Sequence, residues 1–201
     1  VSVTQSLETR LSLVLEEVEY LAQDARVISM DKTAQEKIFK DFLNFHPLFS
    51  NIFVFDSNFF ITQITELSGG DWKKHLLGRQ FNKPSDFVFP YGTYAMKNKS
   101  SVFTGSHWDI QGWGLMFAAV SPIFDPSEKS YAPRGVVSAG LFVNSEFLKK
   151  FIQGYAIELD NLILLVDKEG YVVANSNELI PKEQLKFSLS DQRRELSLPI
   201  P

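Results

Sequence analysis

The sequence predicts an α+β fold: a long N-terminal helix, a central antiparallel β-sheet flanked by helices, and a second, smaller or truncated unit of the same kind. Three observations predict it. An apolar seam runs from Leu7 to Ile28 with no Gly or Pro before Met30. Short apolar runs rich in β-branched and aromatic residues follow, closed by Asp, Asn, Gly or Pro turns. A hairpin pattern at 51–65 recurs at 161–175.

In the first segment, Leu7, Leu11, Val14, Val18, Leu21, Ala25 and Ile28 are spaced 4, 3, 4, 3, 4, 3. That averages about 3.5 residues, the coiled-coil period. Leu13, Leu15, Tyr20 and Val27 add a second apolar edge. The spacing predicts one helix of at least five turns, about 33 Å long at 1.5 Å per residue. It fits two uses equally: packing on the chain's own sheet, or forming a homodimer along Leu11, Val14, Val18 and Leu21.

Thr33 and Glu36 have capping-box spacing. They open a helix whose apolar face is Ile38, Phe39, Phe42, Leu43 and Phe45, ended by Pro47. Residues 51–55 read as a buried strand, 56–58 as a turn and 59–65 as its hairpin partner. Over 66–100 the pattern dissolves, broken by Gly69, Gly70, Gly78, Pro84, Pro90 and Gly92. So long an unpatterned insertion points to a functional or mobile segment.

Strands are expected at 102–108, 113–121 and 135–143, with a turn at 109–112 and a loop holding Asp125, Pro126 and Pro133. Short connections favour antiparallel neighbours, so these strands form a meander. Ser145 then caps a short helix carrying Phe147, Leu148, Phe151 and Ile152. In the second hairpin Asp167 aligns with Asp56, Tyr171 with Phe60 and Val172 with Ile61. After Asn177 the sequence turns polar and irregular, and about forty residues are too few for a full second copy. The division is a stalk helix at 1–30, a principal unit at 31–150, and a linker helix with a reduced unit at 151–201.

Composition excludes several function classes. The net charge is -4, with no basic cluster, which argues against nucleic acid. There is no cysteine, so disulfides and thiol chemistry are excluded. Eighteen phenylalanines imply a large aromatic core or a covered apolar cavity, the core first. No apolar run is long enough to cross a membrane. The chain opens on Val1 and reads as a piece of a longer protein. Only His46, His75 and His107 are present, and no Walker loop, G-x-S-x-G, H-E-x-x-H or dinucleotide fingerprint occurs. Gly69, Gly70 and Asp71 lead into Trp72 and read as a loop. His107 and Asp109 make two ligands without a third, so no metal site is expected. The expectation is a fragment with no enzymatic activity and no cofactor.

A ligand pocket is the chemistry that remains. Ala118, Ala119, Ser138, Ala139 and Gly140 are small residues in the two most apolar strands. They leave room for an overlying aromatic or for a ligand. Trp72, Tyr91, Tyr94, His107, Trp108 and Trp113 offer aromatic walls with polar tips, and Arg79 a cation. The candidate ligand-binding set is Trp72, Arg79, Tyr91, Tyr94, His107, Trp108, Trp113, Ala118, Ser138 and Gly140. Simple packing accounts for any one of them as well.

The order of elements resembles a double Cache sensor domain, a PAS-like fold also called PDC. The matching stretches are 51–65, Thr104 with Gly105, 121–125, Gly135 with Val136 and Val137, and 145–148. The resemblance implies a PAS-like unit at 31–150 that binds a small molecule, then a smaller PAS-like unit. It implies a place on the periplasmic or extracellular side of a membrane-anchored bacterial receptor. The output would be a histidine kinase, diguanylate cyclase or chemoreceptor. Two departures concern the ligand. Amino-acid-binding members carry a tyrosine-arginine-tryptophan-tyrosine pattern before the third strand, which 86–96 lacks. They also place an aspartate in the last strand to hold the ligand's ammonium group, where Gly140 stands here. A dimerisation or partner-docking module without a small-molecule ligand is the alternative.

Overall fold

The computed structural model describes residues 3–67, 73–105, 107–108, 115–127, 132–142, 150, 153, 164–166, 172–175, 186–188 and 195–197. The chain divides into two compact units. One holds residues 1–104 and 117–141, the other 105–116 and 142–201.

The first unit opens with α1 (Val3–Ala22). The expected single helix to Ile28 is interrupted. Asp24 adopts an extended backbone and caps α2 (Ala25–Ile28), its carboxylate accepting from the Arg26 N–H. An aspartate that bonds its own downstream backbone competes with the helical ladder, which is why the chain breaks there. The Arg26 side chain also bonds this carboxyl and holds it below its ordinary pKa. α3 (Lys32–Phe45) follows. Its cap is Asp31, whose carboxylate accepts from the Ala34 N–H, and not Thr33. Asp31→Ala is expected to cost about 1 kcal/mol of stability in a urea titration. No change would mean that water satisfies the first turn equally well.

The apolar stripes of these helices cover one face of a sheet. Val14, Val18, Leu21, Val27, Phe39 and Leu43 are buried with Ile52, Val54, Ala119, Val137 and Leu141. Full burial of each such aliphatic or aromatic side chain contributes about 1.5–3 kcal/mol. α1 thus packs into the core of the first unit. Three of the four seam residues, Val14, Val18 and Leu21, face its own core.

The strands are β1 (Asn51–Asp56), β2 (Ile61–Glu66), β3 (Val102–Phe103), β4 (His107–Trp108), β5 (Leu115–Phe124) and β6 (Pro133–Phe142). They stand in the order β2-β1-β6-β5-β3, with β4 also on β5. β1 runs antiparallel to both β2 and β6. Where one strand was expected over 102–108, two short ones pair with β5 instead. The β1–β2 turn is an Asp turn, as expected. The Asp56 carboxylate accepts from the Asn58 and Phe60 N–H groups at 2.9 Å each. Phe59 takes a left-handed φ of 62°. Arg134, on β6, donates to the Ile28 carbonyl at 2.9 Å and to the Asp125 carboxylate at 2.7 Å.

The insertion expected to be irregular holds α4 (Lys73–Leu76) and α5 (Phe89–Asn98). Pro90 lies in the first turn of α5, where a missing N–H costs nothing. Lys99 closes that helix in the left-handed conformation.

In the second unit β4 pairs with the first residues of β5, His107 opposite Met116 and Trp108 opposite Leu115. β7 (Leu164–Val166) and β8 (Val172–Asn175) form the second hairpin. Its register repeats that of the first. Phe55 pairs with Ile61 across a shift at Val54/Phe55, and Val166 pairs with Val172 across a shift at Leu165/Val166. In each strand the shift comes at the last paired residue, Phe55 in β1 and Val166 in β7. The polar tail also contains β9 (Lys186–Ser188) and β10 (Glu195–Ser197), paired antiparallel, where the sequence read as irregular. The turn at 109–112, Asp167 and the helix capped by Ser145 lie outside the described residues.

Candidate functional site

The sheet's other face carries the insertion, and it is chemically divided. At one end Phe53, Phe55, Phe59, Ile61, Phe81, Val120 and Val136 form an apolar cluster. α5 seats there through Gly92, where an added Cβ would stand 2.6 Å from the Phe59 ring and 3.5 Å from Val136. A glycine is needed for that approach.

Four residues further along β6, about 13 Å away, the same face becomes small and polar. Glu66 pairs with Asn51, and Asn51 pairs with Gly140, in one row across β2, β1 and β6. The next row on this face is Ile64, Phe53 and Ser138. Asn51, Glu66 and Ser138 are all buried. The Glu66 side chain is only 2% exposed, and its Oε1 lies 3.9 Å from the ammonium of Lys73 on α4. At the β5 edge, Thr104 clamps Ala118. Its Oγ1 accepts from the Ala118 N–H and its own N–H donates to the Ala118 carbonyl, both at 2.8 Å.

The Glu66 row holds a buried carboxylate and a carboxamide in line with Gly140, with the Ser138 hydroxyl in the next row. Burying a carboxylate is costly unless a cation or hydrogen-bond donors meet it, and the Lys73 ammonium lies beside Glu66 here.

Of the sequence-derived set, Ala118, Ser138 and Gly140 stand on this one face. Tyr91 is half-buried on α5. Tyr94 projects outward, 55% exposed. Arg79 is exposed, its guanidinium 5.3 Å from the centre of the Phe81 ring. His107 lies in the second unit, its Nδ1 3.0 Å from the Gly105 carbonyl oxygen. Trp72, Trp113 and the Trp108 side chain lie outside the described residues. Asn51 and Glu66, which share this row with Gly140, are not in the sequence-derived set. Their signal is positional: they are the first and last residues of one hairpin, polar at its open end.

No family model matches the chain, and no curated protein matches it. Solved structures do. The ligand-binding domain of the Campylobacter jejuni chemoreceptor Tlp3, in complex with 4-methylisoleucine, matches with a TM-score of 0.63 at 13% identity, over 89% of this chain and 67% of that one. The ligand-binding domain of the Pseudomonas fluorescens chemoreceptor CtaA, in complex with L-serine, matches with a TM-score of 0.57 at 13% identity, over 96% and 83%. An extracellular ligand binding receptor from Desulfohalobium retbaense matches with a TM-score of 0.60 at 12% identity, over 98% of this chain but 37% of that one. At such identities the likeness is one of fold, and the chain has the PAS-like fold of these ligand-binding sensory domains, the fold that the double Cache resemblance led us to expect.

Proposed function

We propose that the chain is a non-enzymatic sensor domain that binds a small, amine-bearing molecule on the polar end of the sheet face formed by Asn51, Glu66, Ser138 and Gly140. The observation that carries this is the buried Glu66 carboxylate, 2% exposed, in a row with Asn51 and Gly140. The position that in amino-acid-binding members holds an aspartate is Gly140 here. Glu66 restores an acid on the same row, two strands away, about 9.6 Å at the usual strand spacing. A ligand anchored there by its ammonium group sits displaced toward β2, and Lys73 is close enough to meet an acidic group on it. The Tlp3 and CtaA domains are described with 4-methylisoleucine and L-serine, which carry both groups. The fold supports an extracytoplasmic place in a membrane-anchored receptor, with occupancy passed to a cytoplasmic output domain. Among the described residues no helix is long and apolar enough to cross a membrane.

A thermal-shift screen of amino acids, amines and other small metabolites tests the reading. A ligand present at about a hundred times its Kd should stabilise the chain by about 2.7 kcal/mol. Glu66→Gln should abolish that shift while leaving the unliganded chain folded. A broad library without a hit, or a hit indifferent to Glu66→Gln, would defeat the assignment.

A second reading, an interaction module that pairs through α1, has its own observation. Leu13 and Tyr20 stand two turns apart on that helix and are 53% and 71% exposed. Pairing would then use this outer edge and not the seam read from the sequence.

A further inference from the structure

A cavity lies on the helical side of the sheet, away from Glu66. It measures about 420 Å³, within the roughly 300–1,000 Å³ range of small-molecule sites. The end of α1, the residues after α5 and the end of β5 enclose it, all within the first unit.

One wall is a hydrogen-bonded relay. Gln23 Nε2 donates to Glu19 Oε1 at 3.3 Å. The Ser101 hydroxyl lies 3.2 Å from Glu19 Oε2 and 3.1 Å from Ser121 Oγ. Ser121 is fully buried. The single proton of Ser101 goes to the carboxylate, the stronger acceptor, so Ser121 donates to Ser101 in turn. The relay then runs in one direction, from the sheet interior to α1, and each link polarises the next. A carboxylate has about four acceptor sites, of which Gln23 and Ser101 use two. This wall therefore presents carboxylate and hydroxyl acceptors beside a carboxamide that both gives and takes.

Ile28, Pro122, Phe124 and Pro126 add an apolar part to the lining, with the Lys99 ammonium 5.8 Å from the centre of the Phe124 ring. Glu19 and Lys99 are the ionisable residues of the lining, and their charges cancel. The acid is engaged by its relay and the ammonium by the ring. The lining thus carries no net charge to select a charged ligand, and a neutral hydroxyl can donate to the carboxylate sites that Gln23 and Ser101 leave unused. Hydroxyls on one side and an apolar C–H face on the other describe a sugar ring.

We propose that this cavity is a second ligand site, built for a neutral polyhydroxylated ring of monosaccharide size. It is independent of the Glu66 site. The test is saturation-transfer NMR on the full chain with D-glucose, D-galactose, D-mannose and D-ribose as probes, followed by titration of any sugar that binds. At least one sugar should bind saturably. Glu19→Gln, a change at an exposed position, should weaken that sugar about tenfold, because a charge-assisted bond becomes a neutral one. Phe124→Ala should weaken it too, and Glu66→Gln should leave it unchanged. Absence of saturable binding by all four sugars overturns the proposal. So does sugar binding that ignores both Glu19→Gln and Phe124→Ala, or binding of glycine betaine at this wall in place of sugars. If sugar binding instead responds to Glu66→Gln, the ligand belongs to the other site.

Discussion

Gly135→Ala should cost the protein more than about 3 kcal/mol, read as a lowered urea midpoint at unchanged slope. Gly135 pairs with Asp56 at the edge of the β1–β6 ladder. A Cβ built there would lie 2.0 Å from the Phe55 carbonyl oxygen, 3.0 Å from the Phe55 carbonyl carbon and 2.9 Å from the Asp56 Cα. All three are backbone atoms, and no rotamer change can move them. β1 is held on both sides, by β2 and β6. It cannot retreat without breaking one ladder, and the Asp56 turn anchors its end. A loss below about 1 kcal/mol would show that the strands part cheaply here, and the account of β1 as the fixed centre of the sheet would fail.

Val18→Glu should be comparably severe, about 3 kcal/mol or more. Val18 is 0% exposed, packed in one cluster with Phe39, Leu43, Ile52 and Val137. A glutamate there must bury its charge or take up a proton, and either costs stability. Because the contacts are made within the chain, the loss should be the same at every protein concentration. Any association through Leu13 and Tyr20 should survive in the folded fraction. Sedimentation alongside the urea titration separates the cases. If Val18→Glu left stability intact and abolished association, the helix would be a dimer seam and not part of this core.

The face of α1 shows what a period can and cannot say. The 3.5-residue spacing found the buried residues Val14, Val18 and Leu21, because burial is what the period encodes. It does not encode whose surface does the burying, nor did it find the break at Asp24. That break is a side-chain-to-backbone event inside an unbroken apolar pattern. The two hairpins were legible as a repeat, since their apolar runs and the Asp56 turn are local chemistry. α5 was not, because Pro90 and Gly92 read as breakers. In space one occupies a first-turn position and the other lets the helix approach Phe59. Of the proposed site, small residues marked Ala118, Ser138 and Gly140 in the sequence, but Asn51 and Glu66 enter one row with Gly140 only through strand order. Strand order is a non-local fact.

Arg134 gives the helix pair its mechanics. Its guanidinium joins the last turn of α2, through the Ile28 carbonyl, to Asp125 just beyond β5. α2 is thereby bolted to the sheet, and the chain between it and α1 is a joint of two residues, Gln23 and Asp24. Sliding α1 along its axis would load that bolt, and swinging it would draw Val14, Val18 and Leu21 out of the core. α1 is therefore held to the sheet by packing and α2 by a charge-assisted bond, so neither helix shifts against the sheet without loss of stability.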